Sequence, residues 1–145
     1  ILVNNGSVVR LAPERAQIID EVHAARFAVD GPRIVPLESD VIKDRTRILY
    51  NGVAVFTLVL DASGNMLGDP QLTTHGLIEE SEADELLAQI SDDVEDALID
   101  MSDADILNDA KVNEAARIAV RRSFRDTHRK RPLTTVHVVR IKDEE

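Results

Sequence analysis

The run from Gly52 to Leu60, Gly-Val-Ala-Val-Phe-Thr-Leu-Val-Leu, constrains this chain more than any other stretch. It is uncharged and rich in β-branched and apolar residues, with a glycine in front and Asp61-Ala62-Ser63-Gly64-Asn65 behind. Those features describe a strand bounded by turns. Because it is apolar on both faces, it belongs at the centre of a small sheet, with helices over one face and a partner over the other.

The helical cover is legible downstream. Ser81-Glu82-Ala83-Asp84 is a capping-box-like start. Leu86, Leu87, Ile90, Val94, Ala97, Leu98 and Met101 then recur at three- and four-residue steps on an acidic cylinder. Ser102-Asp103-Ala104-Asp105 repeats the capping pattern and opens a longer helix, from about Asp103 to near His128, with Leu107, Val112, Ala116, Ala119, Val120 and Phe124 inward. Its acidic first turn and basic last turn suit the helix dipole. Pro70 to Ile78 forms a hairpin with the central strand. Arg131-Pro132 ends the long helix, Leu133 to Ile141 is the last strand, and Asp143-Glu144-Glu145 is a solvated tail.

The fold class is therefore α+β: a small β-β-α-α-β domain over 52–145, a three-stranded sheet with two helices on one face. The bare face carries Val53, Val55 and Val59, or their alternates. These three are the candidate self-association residues. Covering a few hundred Å² of apolar surface at ~25 cal/mol per Å² contributes several kcal/mol.

Ahead of this domain lie short strands. Val8-Val9-Arg10-Leu11 follows an Asn5-Gly6 turn, then come Ile18 to Val22, Ala25 to Val29, a break at Asp30-Gly31-Pro32, and Ile34-Val35. They are too few to close a core and are expected to pair with a sheet preceding Ile1. Ser39 to Tyr50 reads as a short helix, capped by Ser39 or Asp40, with Val41, Ile42, Ile48 and Leu49 as apolar contacts and Asn51-Gly52 as its stop. The organisation is thus 1–37, the end of one domain; 38–51, a linker with a short helix; and 52–145, a second domain. Starting at Ile1 without Met, the chain reads as a piece of something longer.

Composition narrows the function. A length of 145 residues holds one modest domain, or one small domain and part of another, and a net charge of −10 argues against general nucleic-acid binding. Neither DNA nor a membrane is expected as a partner. The absence of cysteine excludes disulfides, thiolate metal sites and a cysteine nucleophile. Charge is unevenly distributed: Glu79 to Asp109 is acidic, whereas Arg117 to Arg131 is basic apart from Asp126. Two solvated faces that neutralise each other explain this pattern. The alternative is a basic patch for RNA or an acidic partner, with Arg121, Arg122, Arg125 and Arg129 as RNA-contact candidates.

Catalytic motifs are missing. His23, His75, His128 and His137 are dispersed, with no H-x-H or H-E-x-x-H spacing, and only His75 and His137 fall on strands of one sheet where they could meet. Asp61 to Asn65 has a calcium-loop flavour, but its glycine is misplaced and a hairpin turn fits better. No nucleophile elbow, phosphate-binding loop or dinucleotide fingerprint occurs. No catalytic, cofactor or metal residue is assigned.

The order of several short motifs carries a resemblance. Asn5-Gly6-Ser7-Val8-Val9-Arg10-Leu11-Ala12-Pro13, Val29-Asp30-Gly31, Lys43-Asp44-Arg45 through Ile48-Leu49, and Asn51-Gly52-Val53-Ala54-Val55 resemble the C-terminal third of the bacterial ribonuclease J family. Thr74-His75-Gly76 stands where that family ends its second strand in Arg-Gly, and Arg131-Pro132 matches its Arg-Pro signature. Thr134-Thr135-Val136-His137 departs from a Pro-containing strand.

The resemblance implies a cytoplasmic, two-zinc metallo-β-lactamase/β-CASP nuclease as the parent, degrading RNA from the 5′ end and cutting internally. Its metal ligands would lie upstream, so none falls here. Residues 1–37 would complete the β-lactamase domain, and 52–145 would support self-association as a homodimer or homotetramer. An alternative role for the chain is a docking surface for another RNA-degradation protein, with the acidic helix as its handle.

Overall fold

The computed structural model describes residues 1–13 and 15–141, so the tail at Asp143, Glu144 and Glu145 lies outside the described residues. The chain divides between Lys43 and Asp44 into two compact units. The first holds two hairpins: β1 (Ser7–Arg10) antiparallel to β2 (Gln17–Glu21), and β3 (Phe27–Asp30) antiparallel to β4 (Arg33–Pro36). Gly31 and Pro32 turn the second hairpin, with Asp30 and Arg33 paired across its base at 3.1 Å. None of the described residues from 1 to 51 is buried. Two-stranded sheets have no interior of their own, and Ile18, Ile19, Val22, Phe27, Val29 and Ile34 stay exposed.

The division falls within α1 (Asp40–Asn51). Ser39 starts this helix through its carbonyl, which accepts the N–H groups of Ile42 and Lys43 at 3.1 Å. The Ser39 hydroxyl has no hydrogen-bond partner among the described residues, so of the two expected caps, Ser39 and Asp40, the first supplies no side-chain bond. The expected stop is present, with Gly52 at φ 72° donating to the Ile48 carbonyl at 2.8 Å. No α1 residue is fully buried: Val41, Ile48 and Leu49 are exposed and Ile42 is half-buried. Asp44, Arg45 and Thr46 occupy the positions between the two apolar pairs, so no continuous stripe forms.

The second unit is built on β5 (Val53–Leu60), the centre of a sheet ordered β6-β5-β7. It pairs antiparallel with β6 (Gln71–His75) and parallel with β7 (Leu133–Arg140). A parallel neighbour requires a long crossover, which here is helical: a 3-10 turn at Glu80–Glu82, then α2 (Ala83–Ile99), α3 (Asp103–Ile106) and α4 (Asp109–His128). Burial along β5 alternates without a break, with Ala54, Phe56, Leu58 and Leu60 buried and Val53, Val55, Thr57 and Val59 partly exposed. The buried four join Leu86, Ile90, Val94 and Leu98 of α2 and Val112, Ala116, Val120 and Phe124 of α4 in one core. The protein is α+β, with its helical layer over one face of the sheet.

Two helix boundaries differ from expectation. The helix anticipated from Asp103 to His128 is broken. Ser102 accepts the Asp105 N–H at 3.2 Å to cap α3, and Asn108 Oδ1 accepts the N–H groups of Ala110 and Lys111 at 3.1 and 3.3 Å to start α4 afresh. A short polar side chain that bonds the amides after it competes with helix continuation. The break turns Leu107, expected inward, out to solvent at 57% exposure. Ahead of α2, the Glu82 carboxylate accepts the Glu79 N–H at 3.1 Å, so capping begins two residues before Ser81.

Polar contacts fix the ends of the sheet. The Asp61 carboxylate accepts the N–H groups of Ser63 and Asn65 at 2.8 Å and the Asn65 side-chain amide at 2.7 Å, making the hairpin turn anticipated there. Arg140 at the far end of β7 donates to the carbonyls of Asp61 and Ile106, both at 2.9 Å, and to the Asp109 carboxylate at 2.8 Å.

Candidate functional site

Two surfaces of the second unit stand apart from the core. The first is the open face of the sheet. Strand registry puts Val55 between Thr73 and Thr135, Val53 between His75 and Leu133, and Thr57 between Gln71 and His137, and sets Val59 beside Val139. Val53, Val55 and Val59 thus form the middle column of this face, flanked by threonines at Val55, by His75 and Leu133 at Val53, and by Val139 at Val59. Val139 is 46% exposed on the same face. Sequence reasoning does not single out Val139, because only the parallel registry of β7 brings it beside Val59.

The second surface is on α4. Ile118, Arg121, Arg122 and Arg125 recur at three- and four-residue steps, hence on one helix face. Together with Arg131 they line a depression of about 290 Å³. Of the four RNA-contact candidates, Arg121, Arg122 and Arg125 are therefore brought together and Arg129 is not. Arg129 is the left-handed residue that ends α4, at φ 53°, with its N–H bonded to the Arg125 carbonyl. That reversal carries Arg131 round to the depression, where Asn51 Oδ1 accepts the Arg131 backbone N–H at 3.0 Å. Helical spacing alone shows the pairing of Ile118 with Arg122; the arrival of Arg131 depends on the turn.

The basic residues differ in what they already hold. Arg117 is spent on Glu114, with Nε and Nη2 at 3.0 and 2.7 Å from the carboxylate, which raises the guanidinium pKa and lowers that of Glu114. Arg125 donates Nε to Asp126 at 2.8 Å, which in turn holds the Asp126 carboxyl below its ordinary range. Arg121 and Arg122 make no ion pair among the described residues, and none joins α2 to α4. Mutual neutralisation of the two helix faces is thus confined to proximity. Asp93, Asp96 and Asp100 line an adjoining acidic depression that shares Ile118 and Arg122.

His75 and His137 do not meet, since they flank β5 on opposite sides and at different levels, opposite Val53 and Thr57. His137 Nδ1 instead lies 3.5 Å from Thr57 Oγ1. Among the described residues no three His, Cys, Asp or Glu side chains converge as metal ligands. No described helix is long and apolar enough to cross a membrane.

A family model described as the ribonuclease J C-terminal domain matches residues 40–141. The chain belongs to the ribonuclease J C-terminal domain family. Among curated relatives, a ribonuclease J of Sinorhizobium meliloti is 31% identical over 140 residues, covering 96% of this chain and 25% of the relative. A ribonuclease J of Corynebacterium glutamicum is 30% identical over 84 residues, or 57% of this chain and 12% of the relative. Ribonuclease J2 of Bacillus subtilis is 20% identical over 133 residues, or 91% and 24% respectively. The chain therefore spans at most about a quarter of these ribonuclease J proteins, and the family match takes in α1 and the whole of the sheet and its helices.

Proposed function

We propose that the unit from Asp44 onward is the assembly module of a ribonuclease J parent, self-associating through the open face of its sheet and carrying no catalytic centre of its own. The observation that supports this is the alternation along β5: one apolar column is sealed under helices, and the other, Val53, Val55 and Val59, is partly exposed. Removing about 300 Å² of such surface from water is worth roughly 7 kcal/mol before association entropy is subtracted. A second copy, presenting the same β-branched surface about a two-fold axis, fits a face of this kind.

Under this reading the parent is a zinc-dependent cytoplasmic ribonuclease with 5′-3′ exonuclease and endonuclease action, its metal held by residues outside this chain. The hairpins β1–β4 would then complete its metallo-β-lactamase domain, in keeping with the absence of any fully buried residue among the described residues of that unit. The chain has no cysteine, so Thr57→Cys introduces a sole thiol in the middle of the face. Mild oxidation should yield a disulfide-linked dimer of Thr57→Cys and leave a control thiol at Glu95, on the exposed side of α2, as monomer. Equal capture of both, or of neither, contradicts the reading.

A further inference from the structure

The arginines on α4 support a separate inference. We propose that the depression ringed by Arg121, Arg122, Arg125 and Arg131 is a phosphate-binding site that takes a backbone phosphate of single-stranded RNA. Guanidinium groups stay charged at every physiological pH and present planar forks of donors that match phosphate oxygens. Two of the four, Arg121 and Arg122, make no ion pair among the described residues, the carboxylates of Glu114 and Asp126 acting on them only at longer range, and Arg125 gives only Nε to Asp126. Ile118, 48% exposed, provides an apolar patch beside them for a ribose or a base.

The chain's acidity sets the size of the ligand. With a net charge of −10, and Asp93, Asp96 and Asp100 lining the adjoining depression, an extended polyanion lying along both depressions is repelled. One or two phosphates seated among the arginines are not, because charge beyond about 10 Å is screened at moderate salt. The site therefore serves as a local anchor for a strand otherwise held elsewhere, and its isolated affinity is low and salt-dependent. A protein segment rich in carboxylates is the competing occupant.

The test is fluorescence anisotropy of a labelled oligouridylate titrated with the whole chain across a salt series. Three proteins are compared: the parent sequence, Arg121→Gln/Arg122→Gln, and Arg129→Asn, which removes a charge outside the depression at a left-handed position asparagine tolerates. Far-UV melting curves establish that each is folded. The double variant should bind about tenfold or more weakly, with its log–log salt slope lowered by about 0.7 for each phosphate no longer neutralised, while Arg129→Asn matches the parent. Competition by inorganic phosphate at millimolar levels would accompany this result. Equal binding by the parent and the double variant overturns the proposal. So does a double variant that no longer binds polyglutamate yet still binds RNA, which assigns the surface to a protein. Saturation by inorganic phosphate without any RNA binding overturns the RNA assignment.

Discussion

Asn113 of α4 donates its side-chain amide to the main-chain carbonyl of Val136 in β7 at 2.6 Å. Val136 is itself buried against the helices and pairs with Phe56 in the central strand. The bond thus links the crossover helix to the edge strand it delivers. A single side-chain-to-backbone bond of this kind is worth about 1 kcal/mol. Asn113→Ala should lower unfolding stability in urea by that amount without changing the denaturant slope. A changed slope would mean that strand pairing, and not one bond, had been disrupted.

Neighbouring positions on β5 should respond very differently. Phe56 is fully buried, and Phe56→Ala should cost about 3–5 kcal/mol by creating a cavity. Val55, one residue away on the open face, should lose under about 1 kcal/mol on Val55→Ala at concentrations where the chain is monomeric. Chemical denaturation of the two variants at one low concentration measures both.

Gly52 has no room for a side chain. It sits at φ 72°, and a Cβ there would come within 2.7 Å of the main-chain oxygens of His75 and Gly76. Strain in the left-handed region and a backbone clash add, so Gly52→Ala should destabilise by about 2 kcal/mol or more. That corresponds to a fall in Tm of roughly 5 °C or more. Gly76, at φ 62° but in open space, should lose less on substitution by Asn, which tolerates that conformation.

Acid should weaken the second unit through Asp61. Its carboxyl is held below the ordinary aspartate range by the Asn65 side-chain amide first, then by the backbone N–H groups of Asn65, Ser63 and Gly64. A folded-state value below the unfolded one contributes stability that is complete above the unfolded value and is lost as pH falls through the folded one. Asp61→Asn should therefore be less stable than the parent at neutral pH, and the gap should close as pH drops below about 4. A pH-independent gap in urea unfolding would assign the loss to turn geometry alone.

Legibility in the sequence follows physical range. The alternation of β5 and the stripes Leu86 to Leu98 and Val112 to Phe124 are local periodicities imposed by a shared core, and they read correctly. The split at Asn108 does not, because a continuing apolar pattern outweighs one capping side chain. Leu107 is misplaced for the same reason. Arg140 does not stand out: its three partners, Asp61, Ile106 and Asp109, are far away in the chain and converge only through the parallel pairing of β7. Likewise, Arg131 joins Arg121 and Arg122 only because α4 ends in a left-handed turn at Arg129.

The most direct measurement is sedimentation equilibrium of the whole chain over a wide concentration range at moderate salt, beside Val55→Asp. The parent sequence should self-associate reversibly and Val55→Asp should remain a monomer, with the two proteins sharing one far-UV spectrum. A parent chain that stays monomeric at the highest concentration, or a Val55→Asp variant that associates equally well, would contradict assembly through the open face of the sheet.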